Sequence, residues 1–292
     1  MDHIASMIRS DFSHIRAVCI IQHGKTLLNE FFNGHQIGEL YPVGCVFKSI
    51  VSALIGIALY EKKIWSLEQR VIDFYPHAKE ADIDPYLSLL TLEHALTKTS
   101  GLIWPGPGGK PPDGMREVWK MKFKDRPGER FEYKPDPQIA VYLLEDLYGK
   151  DIVKIAEEKL FDPLKITQWA WERINIEGMR ISLDGLVRFA ELYLNKGMYN
   201  GKRFFSEAFY RNSIQPYSMG GFPEEKPYGY SWWLDEYQGA AYFCACGFGG
   251  QQVCILPSLD AIIILLSDME RPHRENNAVI RNVVTLLRAD AF

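Results

Sequence analysis

At 292 residues, 47% apolar and 24% charged, the chain can bury one large core or two smaller ones and has the composition of an ordinary globular protein. A net charge of −4 with no block or stripe of Lys and Arg gives no basis for nucleic-acid binding. The longest apolar run, 261–266, is too short to span a bilayer, and the first twenty residues carry Asp2, Arg9, Asp11 and Arg16 without an apolar h-region, so a cytoplasmic protein with no membrane partner is expected.

Residues 1–16 read as an opening helix. Two β-type runs, Ala17 to Gln22 and Thr26 to Phe32, flank the turn His23-Gly24-Lys25 and predict a hairpin. From about Cys45 to Lys62 follows a helix that is apolar on nearly every side (Val46, Phe47, Ile50, Val51, Leu54, Ile57, Leu59), as expected of a helix inside a domain. Trp65, Leu67, Val71, Ile72 and Phe74 then suggest a short amphipathic stretch that packs down.

Residues 78–170 differ in texture, with helical pieces alternating with Pro/Gly loops. Leu89 to Leu96 reads as a capped helix with Thr91 near its start. Pro105 to Gly114 reads as a loop, and Ile139 to Tyr148 and Ile152 to Leu160 as helices separated by Gly149. A helix Leu183 to Lys196 begins after Ser182. The tail is strand-rich (228–234, 241–246, 251–256, 261–267) and ends in a helix from Glu275 to Arg288. The expected fold is α+β, an α/β sandwich. One antiparallel sheet is built from both termini (1–76 and 171–292) and flanked by helices, and 77–170 form a mainly helical insertion.

Five cysteines (Cys19, Cys45, Cys244, Cys246, Cys254) show no framework spacing and read as reduced thiols. The seven histidines are scattered, so neither a metal nor a cofactor is expected.

Three segments carry potential chemistry. On the buried helix, Cys45, Lys48, Ser52 and Gly56 fall at i, i+3, i+7 and i+11 and share one face. A buried lysine needs a partner, and a cysteine one turn earlier would meet both the ammonium and the positive end of the helix dipole, which activates a thiol. The same pair also suits a space-filling cysteine and a lysine that reaches the surface. Tyr133, just before a helix, can act as a proton shuttle if it sits beside Lys48, which would favour its phenolate, or can place its hydroxyl in water. In 244–251 the glycines between two strands permit close backbone approach and N–H donation to an oxyanion, or simply form a glycine-rich hairpin loop.

The order of these segments resembles the serine β-lactamase and penicillin-binding-protein-like superfamily, in particular the branch of class C β-lactamases, family VIII esterases and 6-aminohexanoate-dimer hydrolases. That family carries a Ser-x-x-Lys helix, a Tyr-x-Asn type motif and a Lys/His-x-Gly type strand motif in this order. The resemblance covers about residues 16–290 and includes 48–58, 67–71, 97–102, 160–164, 193–197, 228–233 and 247–251. It implies Cys45, Lys48 and Tyr133 as the catalytic set. Ala245, Cys246, Gly247 and Phe248 form the third motif, with the N–H groups of Cys45 and this strand as oxyanion donors. Trp104, Tyr230, Trp232, Gly249 and Gln251 contribute to substrate binding, and Trp119 and Trp233 add to the aromatic supply of an apolar pocket. The implied partner is a small-molecule ester, amide or β-lactam-like substrate.

Three departures bear on the chemistry. Cys45 stands where the family has serine, Tyr133-Lys134-Pro135 lacks the asparagine, and Ala245-Cys246-Gly247 lacks the Lys or His. The lost cation argues against classical β-lactams and D-Ala-D-Ala peptides. The sequence is thus compatible with a hydrolase working through an acyl-enzyme on Cys45, with a pseudo-enzyme that binds on the same fold, or with a serine hydrolase in which cysteine has been substituted by engineering.

Overall fold

The computed structural model describes residues 1–76, 83–106, 111–173 and 175–289. In chain order the elements begin with α1 (Asp2–Asp11), β1 (Ile15–Gln22), β2 (Lys25–Phe31), β3 (Tyr41–Pro42) and α2 (Phe47–Tyr60). The helical stretch holds α3 (Leu92–Thr97), α4 (Met115–Val118), α5 (Pro137–Tyr148) and α6 (Ile152–Ala156). Then come β4 (Trp169–Glu172), β5 (Asn175–Ile181), α7 (Leu183–Leu194), β6 (Met198–Tyr199), β7 (Lys202–Arg203) and α8 (Glu207–Ser213). The chain closes with β8 (Ser218–Gly221), β9 (Lys226–Tyr228), β10 (Trp233–Tyr237), β11 (Ala240–Gly247), β12 (Gln251–Leu256), β13 (Ala261–Ser267) and α9 (Asn276–Ala289).

Eight strands form one sheet in the order β2-β1-β13-β12-β11-β10-β9-β8. The N-terminal hairpin pairs with the last strand, and β1 runs antiparallel to β13 from Ile15↔Ser267 to Gln22↔Ala261. The sheet is therefore assembled from both ends of the chain, as the sequence implied. Every residue of β13 is buried, which requires cover on both faces. Ile262, Ile264 and Leu266 join the larger cluster with α2, α5 and α7. Ile263 and Leu265 join a second one with α1 and α9. The larger cluster is continuous from Leu87, Ile139 and Phe161 in the helical stretch to Phe243 and Val253 in the sheet.

Local chemistry sets the element ends. Thr91 caps α3 through a capping box in which His94 returns the bond. Gly149 ends α5 in the left-handed conformation, and Ser182 caps α7.

Several expectations are corrected. The opening helix stops at Asp11, because Ile15 already pairs with Ser267. The continuous strand expected over 228–234 is two strands joined by a turn. Ser231 has φ +63°, Gly229 N–H donates to the Trp232 carbonyl at 2.8 Å, and the turn drives Tyr230 and Trp232 into the core. Trp65 does not pack down and is 81% exposed. A small sheet, β3-β5-β4, went unforeseen, since its charged, glycine-containing strands lack a clean apolar alternation. The expected loop at 105–114 shows no regular structure where described, and its residues 107–110 lie outside the described residues. The all-thiol reading also changes. Cys244 and Cys254 are directly opposed on β11 and β12, 4.2 Å apart at Cα, and are joined as a disulfide, while Cys19, Cys45 and Cys246 are free.

Candidate active site

Cys45 lies in a single 3-10 turn, Gly44–Val46, that leads into α2. Two glycines dock this turn against the end of β11. Gly44 has φ +49°, and a Cβ on it would lie 3.4 Å from the Phe248 amide nitrogen. A Cβ on Gly247 would lie 2.2 Å from the Val43 carbonyl oxygen. At Gly247 only bare backbone fits, and at Gly44 the left-handed backbone favours glycine; the approach brings Cys45 beside the Cys246–Phe248 segment.

One turn into α2, Lys48 is 4% exposed, and its Nζ donates to Cys45 Sγ at 2.8 Å. Further along the stripe, Gly56 leaves room for the Phe209 ring, which would lie 2.5 Å from a Cβ. Ser49, off the stripe, donates to the Ser231 carbonyl at 2.7 Å and ties α2 to the 229–232 turn.

Tyr133 reaches the same place from the segment before α5. Its ring stacks on Trp233 (5.5 Å, 24°) and meets Tyr228 edge-on at 6.4 Å. The Lys48 ammonium stands over this ring, 4.6 Å from its centroid. The expected contact from Lys48 to the phenol hydroxyl is thus replaced by a cation–π contact with the ring. Burial, then the neighbouring Cys45 and Tyr228, push the phenol well above its ordinary range. The expectation of a favoured phenolate is therefore reversed, and Tyr133 carries its proton at neutral pH.

A second ammonium, Lys98, was not singled out for chemistry. It ends α3 in the left-handed conformation (φ 59°), is 1% exposed and lies 4.4 Å from the Tyr133 centroid. Its Nζ donates to the Lys134 carbonyl. Beneath it, buried Asp136 accepts from Trp104 Nε1 (2.5 Å) and the Ser100 amide (3.3 Å). Burial raises the Asp136 pKa, against the pull of Lys98, Ser100 and Trp104.

These groups open on a cleft of about 260 Å³. Of the expected residues, Cys45, Tyr133, Cys246, Gly247, Phe248, Gly249 and Gln251 line it. Lys48 sits behind Cys45, and Ala245 faces the core cluster under α2. Trp104, Tyr230 and Trp232 are not among the lining residues. Trp104 holds Asp136, Tyr230 bonds Glu93 at 2.7 Å, and Trp232 packs among Phe189, Tyr193 and Phe243. Trp119 is likewise buried in the core. The walls come instead from Trp233, Phe222, Pro223, Glu224 and Arg274, with Gln252, Pro272 and His273. Phe222 and Phe248 are 71% and 48% exposed at the rim. Apart from Trp233, no local pattern marked these wall residues, because only the sheet order brings 222–224 and 272–274 together.

A two-sided α/β sandwich in which a cysteine and a lysine at the start of the buried helix meet a tyrosine from a separate segment has the β-lactamase-like hydrolase fold. The chain belongs to the Beta-lactamase family, which it matches over residues 14–286. Among solved structures, a protein of Bacteroides dorei assigned as a β-lactamase superposes with a TM-score of 0.82 at 17% identity, covering 98% of this chain and 97% of the other. A Bacillus anthracis protein assigned as a 6-aminohexanoate-dimer hydrolase gives 0.79 at 18% identity, over 98% and 81%. The octameric penicillin-binding protein homologue of Pyrococcus abyssi gives 0.76 at 15%, over 99% and 76%. At these identities the likeness concerns the fold. No curated protein sequence matches the chain.

Proposed function

We propose that this protein is a hydrolase of small esters or amides that works through an acyl-enzyme on Cys45. The observation that carries the reading is the 2.8 Å contact from the Lys48 ammonium to the Cys45 sulfur, with the Tyr133 ring beneath the same ammonium and lining the same cleft.

The sulfur attacks the substrate carbonyl, and the oxyanion is taken by the Cys45 N–H and the N–H of the adjoining Phe248 segment. As the tetrahedral intermediate collapses, the C–O or C–N bond breaks and the leaving group takes the Tyr133 proton. The resulting phenolate faces two ammoniums, Lys48 and Lys98, close to its ring. Lys98 thereby supplies positive charge to a site whose third motif has lost its own. Water then attacks the thioester, returns a proton to Tyr133 and frees the acid. The aromatic wall of Trp233, Phe222 and Phe248 suits an apolar acyl or aryl group.

The test is incubation with p-nitrophenyl butyrate and with nitrocefin, followed by intact-protein mass measurement. The expected result is ester turnover with an acyl adduct on Cys45 that the Cys45→Ala variant lacks. No turnover, no adduct and a Cys45 inert to iodoacetamide at neutral pH would refute the proposal in favour of a binding protein on the same fold.

A further inference from the structure

Outside the Cys45 set, three groups from opposite ends of the chain converge. They are His14, between α1 and β1, and His273 and Glu275, just before α9. One ligand atom from each lies within 4.8 Å of the others. The two imidazoles stack with centroids 3.8 Å apart and planes 5° from parallel, and their side chains are only 10% and 4% exposed.

The surrounding bonds fix the ring protons. Asn276 Nδ2 donates to the Gly250 carbonyl and to Ser267 Oγ, both at 2.9 Å. Its Oδ1 is therefore the acceptor facing His14 Nε2 at 2.7 Å, and that nitrogen carries a hydrogen. Asp268 Oδ1 lies 2.7 Å from His273 Nε2, and its other oxygen accepts from Arg16 at 3.0 Å. With Arg16 on its other oxygen, Asp268 is the acceptor in this contact, so His273 Nε2 also carries a hydrogen. The Nδ1 atoms remain, and both face Glu275 Oε1, at 3.2 Å from His273 and 4.0 Å from His14. Arg271 bonds the same Glu275 oxygen at 2.6 Å. Three potential ligand atoms thus face one another.

We propose that His14 Nδ1, His273 Nδ1 and Glu275 Oε1 form a binding site for a divalent transition-metal ion of the zinc type. Two imidazoles and a carboxylate suit zinc and its borderline neighbours better than magnesium or calcium. Each histidine donates its other N–H to an oxygen, as metal-bound imidazoles do. The 3.2 and 4.0 Å separations bracket what neighbouring ligands span around zinc with bonds of about 2.0–2.1 Å. An ion lies in the plane of each ring it binds, so binding tilts His14, which sits in the short link before β1. The ion would tie that link to the 268–275 segment, whose Pro272, His273 and Arg274 form a wall of the Cys45 cleft.

Metal-stripped protein titrated with zinc against a chromophoric chelator should take up one equivalent. Cobalt should give d–d bands without the near-ultraviolet absorption of a cobalt–thiolate bond. Glu275→Gln, at a partly exposed position, and His14→Gln should each weaken zinc binding at least about ten-fold, with circular dichroism unchanged, while Cys45→Ser leaves binding intact. The absence of uptake would overturn the proposal. Uptake that survives Glu275→Gln, or that carries a thiolate band, would overturn it in favour of Cys45 or Cys246.

Discussion

The phenol of Tyr133 is the residue on which ester and amide chemistry should part. An amine leaves a tetrahedral intermediate poorly unless protonated, and against it the Cys45 thiolate is the easier group to expel. A p-nitrophenolate departs at neutral pH without a proton. Tyr133→Phe is therefore expected to lower turnover of an anilide by roughly 10²–10⁴-fold, the span of a positioned general acid, and to lower turnover of the p-nitrophenyl ester far less. Equal losses on both substrates, measured as kcat/KM, would remove Tyr133 from the proton-transfer step. Cys45 and Lys48 were legible in the sequence because helical spacing alone puts them on one face. For Tyr133 the residues alone left open a hydroxyl in water, since nothing local ties it to them, and it was the resemblance that joined it to the pair. Lys98 contacts the Tyr133 ring across 35 positions of sequence (133 minus 98), a distance no periodicity reports. The polarity of Tyr133 was misjudged for a similar reason, because its burial depends on Trp233 and Tyr228, which arrive from the far end of the sheet.

Between elements, the two glycine contacts hold Cys45 against β11. Gly247→Ala places a methyl 2.2 Å from the Val43 carbonyl, and backbone cannot swing aside as a side-chain tip can. The expected cost is about 1–3 kcal/mol, as for overpacking elsewhere. It should appear as a lower urea midpoint together with slowed acylation of Cys45, because the turn itself is pushed away. Unchanged acylation would mean that the turn is not positioned by this contact. Thr91→Ala, at the α3 cap, removes the bond to the His94 amide and should cost about 0.5–2 kcal/mol. As Lys98 sits at the other end of this six-residue helix, some loss of activity should accompany it. The caps and the long helices were readable because their signals are local. The 228–234 segment misled because its aromatic run suits a strand, whereas a left-handed Ser231 and the carbonyl of Ser213, 2.3 Å from a Cβ on Gly229, demand a turn.

Across the whole molecule, covering the sheet on both faces and packing helices around α2 buries many phenols, and this makes stability sensitive to alkali. Burial is the largest influence on Tyr41, Tyr142 and Tyr210. Glu39 adds to it for Tyr41 and Glu207 for Tyr210, Arg173 opposes it for Tyr142, and each phenol is raised from 10.0 to about 12. A raised folded pKa means that the unfolded chain loses these protons first. Their contribution is therefore whole below about pH 10 and is lost as pH climbs towards 12. At pH 11 each such group favours the unfolded state by on the order of 1 kcal/mol. Together they remove on the order of a few kcal/mol, a large share of an ordinary domain's roughly 5–15 kcal/mol. The urea midpoint should thus stay level between pH 7 and 9 and fall steeply above 10. Phenolate absorbance at 295 nm should lag behind that of free tyrosine and rise together with the loss of secondary structure. Tyrosines that titrate near pH 10 with the fold intact would show that these rings are reached by water, and the two-sided packing would then be looser than the structure describes.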